Sequence, residues 1–226
     1  DVVQGKDAID LLTGLGYRIR IFYAESGRTF ISKGFLRQAR ELARRNAVPL
    51  EAFARAGMPV LGLEPSAVLT FRDEYGRLGL DREAAEAIGK NAFLVEEFLA
   101  SEIGKGHIRP EQFTREKRSI KIHNHCYQKA LSDQKITFDI LNLPVNYTVS
   151  IIPSGCCGMA GSFGYEKEHY EVSMQVGALR LFPAIEKSPE DVIIAANGTS
   201  CRHQIWDGTR RKARHPVSIL KEALVV

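Results

Sequence analysis

Three strand-forming runs in this chain each end in a cysteine-bearing turn. "RSIKIHNH" (118–125) leads to Cys126, "NYTVSIIP" (146–153) runs into "SGCCGM" (154–159), and "DVIIAAN" (191–197) runs into "GTSC" (198–201). β-branched and apolar residues bounded by turn signals predict strands. Helix-forming stretches, "YQKALSDQKITFDILNL" (127–143) and "YEKEHYEVSMQVGALRLFPAIEK" (165–187), separate them. Strands alternating with helices specify α/β architecture with largely parallel sheets. In such sheets the loops that follow the strands gather at one edge. The expectation is therefore that Cys126, Cys156, Cys157 and Cys201 meet at the carboxyl edge of one sheet.

The same pattern occurs earlier without thiols. A helix over "GKDAIDLLTGLGY" (5–17) precedes a strand-like "RIRIFY" (18–23), the turn "AESGR" (24–28) and a helical stretch at 33–57. A short apolar strand, "MPVLGL" (58–63), then leads into "EPSA" (64–67). Superposing Gly27 on Gly158 sets Glu25-Ser26 on Cys156-Cys157, and Ala67 falls on Cys201. The expected organisation is two Rossmann-like half-domains related by an internal repeat, residues 1–110 and 111–226. Residues 81–103 read as one or two connecting helices, and "GKGHIRP" (104–110) as a linker.

The chain has 226 residues and a formal net charge of +4. That length suffices for a sizeable core. So small a charge excess does not argue for nucleic acid, and the densest basic run, "TRRKARHP" (209–216), reads as solvated surface. No run approaches the length of a membrane span, and no secretory signal is expected. The chain opens at Asp1 without methionine and reads as a fragment or processed piece. With no sign of secretion, structural disulfides are a poor first reading of the thiols.

The thiols admit several chemistries. One zinc ion takes four thiolates, usually from C-x-x-C pairs, and this chain has none. Adjacent side chains in extended backbone point apart, which suits one small ion poorly. An iron–sulfur cluster is larger and takes four thiolates. Glycines at 155, 158, 161 and 164 would let backbone approach it and donate N–H bonds. Small buried residues packed at strand ends, a redox dithiol and a vicinal Cys156–Cys157 disulfide are the competing readings. A dinucleotide site is a further one, although the spacing here is G-x-x-G-x-x-G-x-x-G and not G-x-G-x-x-G. His123, His125 and His203 lie near the same turns, as ligands, proton relays or hydrogen-bond partners. In the first copy Arg28, Lys33 and Glu64 occupy equivalent loops.

"HNHCYQKAL", "PSGCCGMAGSFGYEKEHYEVSM", "LFPAI" and "GTSCRHQIWDGTRRKARHPVSIL" resemble the cysteine-rich CCG domain family. "ISKGFLRQARELARRN" and "LEPSAVLTFRDEY" resemble its first repeat, so the likeness runs from about residue 16 to the end. That family includes the cysteine-rich subunit of heterodisulfide reductase, the iron–sulfur subunit of glycolate oxidase, and the carboxy-terminal part of FAD-linked oxidases of D-2-hydroxy acids. The resemblance implies metal ligands Cys126, Cys156, Cys157 and Cys201, with Gly155, Gly158, His123, His125 and His203 around the cofactor. It implies an iron–sulfur cluster of [4Fe-4S] type, or zinc as in some relatives, with FAD on a separate domain. A fifth family cysteine falls at Gln204, and Glu25-Ser26-Gly27-Arg28 stands where the first repeat would carry Cys-Cys-Gly-Arg. The implied activity is electron transfer within an oxidoreductase acting on a D-2-hydroxy acid such as glycolate, lactate or 2-hydroxyglutarate. The implied partners are flavin-binding and ferredoxin-like domains, and the implied location is cytoplasmic, including a peripheral association with a membrane.

Overall fold

The computed structural model describes residues 2–225. The outer limits of the two expected repeats, Asp1 and Val226, lie outside the described residues. In chain order the elements are α1 (Val2–Gly14), α2 (Arg28–Ser32), α3 (Leu36–Arg55), β1 (Val60–Gly62), α4 (Pro65–Val68), α5 (Arg82–Asn91), β2 (Ala92–Leu94) and α6 (Val95–Gly104). There follow β3 (Arg118–His123), α7 (Cys126–Leu131), α8 (Lys135–Leu141), β4 (Tyr147–Ile151), α9 (Tyr170–Glu186), β5 (Ile193–Ala196), α10 (Thr199–Thr209) and α11 (Pro216–Ala223). The architecture is α/β, with helices flanking small sheets that are parallel throughout. Among the described residues no helix is long and apolar enough to cross a membrane.

The chain divides into two compact units. One contains Ile21–Val95; the other contains the residues up to Arg20 together with those from Glu96 onward. The second has a three-stranded sheet in the order β4-β3-β5. Ile120 pairs with Val149 on one side and Ile193 on the other, so β3 is central. Its alternate residues Ile120 and Ile122 are each 1% exposed, as a strand covered by helices requires. One apolar cluster joins Ile152, Met159, Leu181, Phe182, Ile185, Ile194 and Ile205, and includes Cys157 and Cys201. α9 and α10 pack closely because Gly177 and Gly208 both leave room for the Phe182 ring; a Cβ on either would lie 2.3 Å from it. α1 lies against α11, and the Asp7 carboxylate accepts a hydrogen bond from Ser218.

The basic run at 209–216 is structural. Arg214 N–H donates to Ile194 O at 2.8 Å, and Ala196 N–H donates to Arg214 O at 2.9 Å, extending the sheet beside β5. The Arg211 guanidinium donates to the carbonyls of Ser188, Pro189, Glu190 and Val192. A guanidinium has five donors in a fixed fork, so it can serve several carbonyls of one turn. This accounts for arginines that charge pattern alone assigns to solvent.

In the Ile21–Val95 unit, β1 pairs with β2 in parallel, Val60 with Ala92 and Gly62 with Leu94. β2 falls inside the stretch expected to be helical, where it divides α5 from α6. The expected strand at 18–23 does not form. That segment has no ladder partner, and Ile19, Ile21 and Tyr23 are exposed. Strand propensity describes a side chain suited to a half-buried pleat, and without a neighbouring strand it has no effect.

Candidate metal centre

Each thiol is positioned by the element that follows a strand of the three-stranded sheet. Cys126 opens α7 directly after β3. Cys156 and Cys157 lie in the loop after β4, and Cys201 sits in the first turn of α10 after β5. Because the strands are parallel, the chain exits all three at the same edge. The four sulfurs form a continuous set there: Cys126 meets Cys156, Cys156 meets Cys157, and Cys157 meets Cys201. All four are free thiols. Cys126 is exposed, Cys156 intermediate, and Cys157 and Cys201 buried. The set therefore runs from the surface into the core.

His123, the last residue of β3, joins the buried end. A ring nitrogen of His123 and the sulfurs of Cys157 and Cys201 lie within 4.8 Å of one another. Its Nδ1 is 2.8 Å from Ser154 Oγ. His125 caps α7, with Nδ1 accepting from Tyr127 N–H at 3.1 Å and lying 4.0 Å from Cys126 Sγ. His203 is not brought to the thiols. It is exposed, and its Nδ1 lies 2.8 Å from the Tyr165 hydroxyl.

The glycines differ in what they do. Gly158 has φ 106°, and a Cβ there would lie 2.1 Å from Ser173 O, so the position admits only glycine. Its N–H donates to Cys156 Sγ at 3.3 Å. Gly155 has open space around its Cα, and no close approach requires glycine there.

Sequence reasoning passes over several supports. A Cβ on Gly198 would lie 2.4 Å from the His125 ring and 3.3 Å from Cys201 Sγ, so glycine is what lets the exit from β5 pass that sulfur. Lys129 Nζ donates to Ser154 O at 2.6 Å and Gly155 O at 3.0 Å, tying the cysteine loop to α7. The buried Arg202 donates to Ala196 O and Asn197 O at the end of β5. Gln204, one turn beyond Cys201, donates through Nε2 to Ser173 O and Oγ at 2.9 and 3.0 Å. The signal available in the sequence is adjacency to cysteine, in "CYQK" and "CRHQ", without any indication of partner.

The electrostatics follow from packing four acids together. Hydrogen bonds from Cys126 and Cys157 pull Cys156 well below the usual thiol range. Cys126 is pushed up by its bond to Cys156, and Cys157 by its bonds to Cys156 and Cys201. Cys201 is lowered, chiefly by Cys157 and then by His123. Thiolates packed together repel one another, and a cation in their midst would offset that repulsion and favour the deprotonated form of its ligands. The backbone N–H of Gly158 also donates to Cys156 Sγ. Soft donors from three strand ends, backbone donors around them and an unpartnered amide oxygen on Gln204 fit a thiolate-bound metal or cluster.

Known dehydrogenases share this region. The chain is 30% identical over 220 residues to D-2-hydroxyglutarate dehydrogenase of Escherichia coli K12, covering 96% of this chain and 21% of that protein. It is 29% identical over 224 residues to one subunit of the anaerobic glycerol-3-phosphate dehydrogenase of the same strain, covering 97% of this chain and 55% of that protein. A D-2-hydroxyglutarate dehydrogenase of Haemophilus influenzae is 25% identical over 227 residues. The chain thus spans about a fifth to about half the length of these curated relatives. No family model matches it, and no solved structure does.

Proposed function

We propose that this chain is the electron-transfer module of an FAD-linked oxidoreductase, with an iron–sulfur cluster of [4Fe-4S] type held by Cys126, Cys156, Cys157 and Cys201. The observation that carries the reading is the contiguity of four free thiols delivered by three strand ends. A cluster there would accept and pass on single electrons. The residues of this chain bind it, aim N–H dipoles at its sulfur ligands, and shield its inner side with the apolar cluster around Cys157 and Cys201. Burial, hydrogen bonds to sulfur and net charge are the means by which a protein sets such a potential. Gly155, Gly158, His123 and His125 belong to the proposal as its surroundings, His123 and Gly158 with the closest geometric support, while the expected part of His203 is withdrawn because it faces Tyr165.

The relatives support the division of labour. Two dehydrogenases whose names specify different substrates share this region at nearly equal identity, 30% and 29%. What they share is more readily the handling of electrons than the choice of substrate. The substrate proposed for the whole enzyme is a D-2-hydroxy acid, oxidised at an FAD domain, with a ferredoxin-like domain as the neighbouring carrier. The organisation as two repeats, residues 1–110 and 111–226, and a cytoplasmic location are parts of the same proposal.

One observation favours a second reading. His123, Cys157 and Cys201 offer one nitrogen and two sulfurs within 4.8 Å, a donor set suited to zinc in a docking module. Metal and acid-labile sulfide analysis of anaerobically purified protein, with a visible spectrum, separates the two. Iron with sulfide, and a broad band lost in Cys156→Ser, is the expected result. Stoichiometric zinc selects the second reading. Folded protein with neither metal defeats both and leaves a dithiol or an empty scaffold.

A further inference from the structure

Asn124 and Asn197 are 1% and 2% exposed, yet the protein does not meet all of their polar atoms. Among the described residues neither Nδ2 nor Oδ1 of Asn124 has a hydrogen-bond partner, and Oδ1 of Asn197 has none. The orientation of Asn197 is fixed by a chain of bonds. Asp133 O is a carbonyl and can only accept, so Gln128 turns Nε2 toward it, at 3.2 Å. Gln128 Oε1 then faces Asn197, whose Nδ2 donates to it at 2.9 Å. The oxygen of Asn197 is the atom left over. Asn124 presents one amide nitrogen and one oxygen whichever way it is turned. A buried amide with nothing to bond destabilises a fold, and an apolar side chain of similar shape would avoid that penalty.

The sheet brings these two amides together. Ile122 pairs with Ala195 and His123 with Ala196 in parallel register, and Asn124 and Asn197 are the next residues on the two chains. Neighbouring strands run about 4.8 Å apart, so side chains at matching positions are neighbours. His123 and Ala196 face the sulfurs: His123 reaches Cys157 and Cys201, and Ala196 belongs to their apolar cluster. Alternation turns the following residues to the other face, where Asn197 meets Gln128 of α7. Behind the thiols, therefore, lies a buried spot with one NH2 group and two carbonyl oxygens open to it. That mixture selects its occupant. A bare cation would confront the N–H bonds of Asn124, and an anion would confront two oxygens. Water donates twice and accepts twice, and a buried water typically makes about three bonds to such groups. We propose that Asn124 and Asn197 form a binding site for internal water, which bridges the ends of β3 and β5. Cys126 follows Asn124 by two residues and Cys201 follows Asn197 by four, so the bridge fastens the strand ends that deliver these thiols. The site is separate from the sulfurs and does not depend on which metal they hold.

The test joins a high-resolution crystal structure, water–protein NOEs in isotopically labelled protein, and urea unfolding of two variants. Bound solvent within hydrogen-bond distance of both Asn124 and Asn197 is expected, with an NOE from water to the side-chain NH2 of Asn124. Asn124→Leu, close to the amide in shape but without its polar atoms, should lose the solvent and lower the folding constant about tenfold, because Asn197 Oδ1 is then left unpaired. Asn124→Ser keeps a hydroxyl that water can bridge, and should retain the solvent and recover part of that loss. A wild-type structure without solvent at the pair overturns the inference, as does a direct bond between the two amides or a cation in the water's place. An Asn124→Leu variant more stable than wild type overturns it too, since that is the result for an amide that had no partner to lose. Should Asn124→Leu not fold, the wild-type density and the NOE decide alone, and the lack of either overturns the inference. Metal and sulfide content have no part in any of these outcomes, so failure here leaves the cluster reading where it stands.

Discussion

Two loops of this molecule begin alike and finish differently. Gly27 (φ 83°) and Gly158 (φ 106°) each turn the chain through the left-handed region. Around Gly27 the polar groups are met by protein. Asn46 donates to Glu25 O at 2.6 Å, the Tyr75 hydroxyl to Ser26 O at 3.1 Å, and Arg28 pairs with Glu74. Around Gly158, Lys129 holds two carbonyls, but free thiols gather at the edge, Cys157 and Cys201 within 4.8 Å of one another, and the oxygen of Gln204 stays unpartnered. A loop whose donors and acceptors close on one another is complete by itself. A loop that gathers soft donors and leaves an acceptor open is completed from outside.

The sharpest way to break the comparison is to place alanine at each glycine. Gly158→Ala meets both left-handed strain and a backbone oxygen 2.1 Å from the new Cβ, and should cost about 3 kcal/mol or more together with the bound metal. At Gly27 the nearest atoms are 3.6 Å away, so Gly27→Ala should cost only about 1 kcal/mol of strain and leave metal content unchanged. Chemical denaturation with metal analysis checks both. Equal losses at the two positions would dissolve the distinction.

A smaller effect is expected from the residues that hold the loops. Lys129→Ala should weaken metal retention about 10- to 100-fold, because it releases the carbonyls of Ser154 and Gly155 beside the ligands. Tyr75→Phe should cost about 1 kcal/mol with metal retention unaltered. Chelator competition reads the first and urea denaturation the second.

The effect that vanishes with conditions is a dependence on pH in the thiol-bearing unit. Glu102 is buried and accepts from Lys105, from Tyr17 and from His107, which together hold its carboxyl at about 2. A folded value below the unfolded one contributes stability above about pH 4.5, lost as pH falls toward 2. Glu102→Gln should therefore cost about 2 kcal/mol at neutral pH and little near pH 2. Parallel wild-type and variant urea curves at the two pH values test this. A difference that does not shrink in acid would show that the loss is not electrostatic.

Much of the sheet is legible in the sequence because β3, β4 and β5 are apolar runs bounded by turns, each with a helix after it. The meeting of the four thiols is legible for the same reason, since parallel strands share an exit edge. β2 is not, because three apolar residues between two helical stretches have no period of their own. "RIRIFY" misleads in the other direction, having the composition of a strand and no partner. Cys201 reads as a strand-end residue and lies in the first turn of α10. Lys129, Arg202 and Ser173 escape notice because their roles depend on which carbonyl or oxygen lies opposite, and spacing along the chain does not carry that.

The parallel order that brings the thiols together also sets when the centre can exist. Cys126 leaves the ribosome first, Cys156 and Cys157 follow, and Cys201 comes only with the start of α10. Between them lie two crossovers, and loop closure must precede any contact among the sulfurs. A nascent chain truncated before residue 201 lacks a buried thiol, the one that interacts with Cys157. If the proposed centre forms, its metal must wait for the start of α10, because an emerging polypeptide presents isolated thiols and not yet the assembled edge.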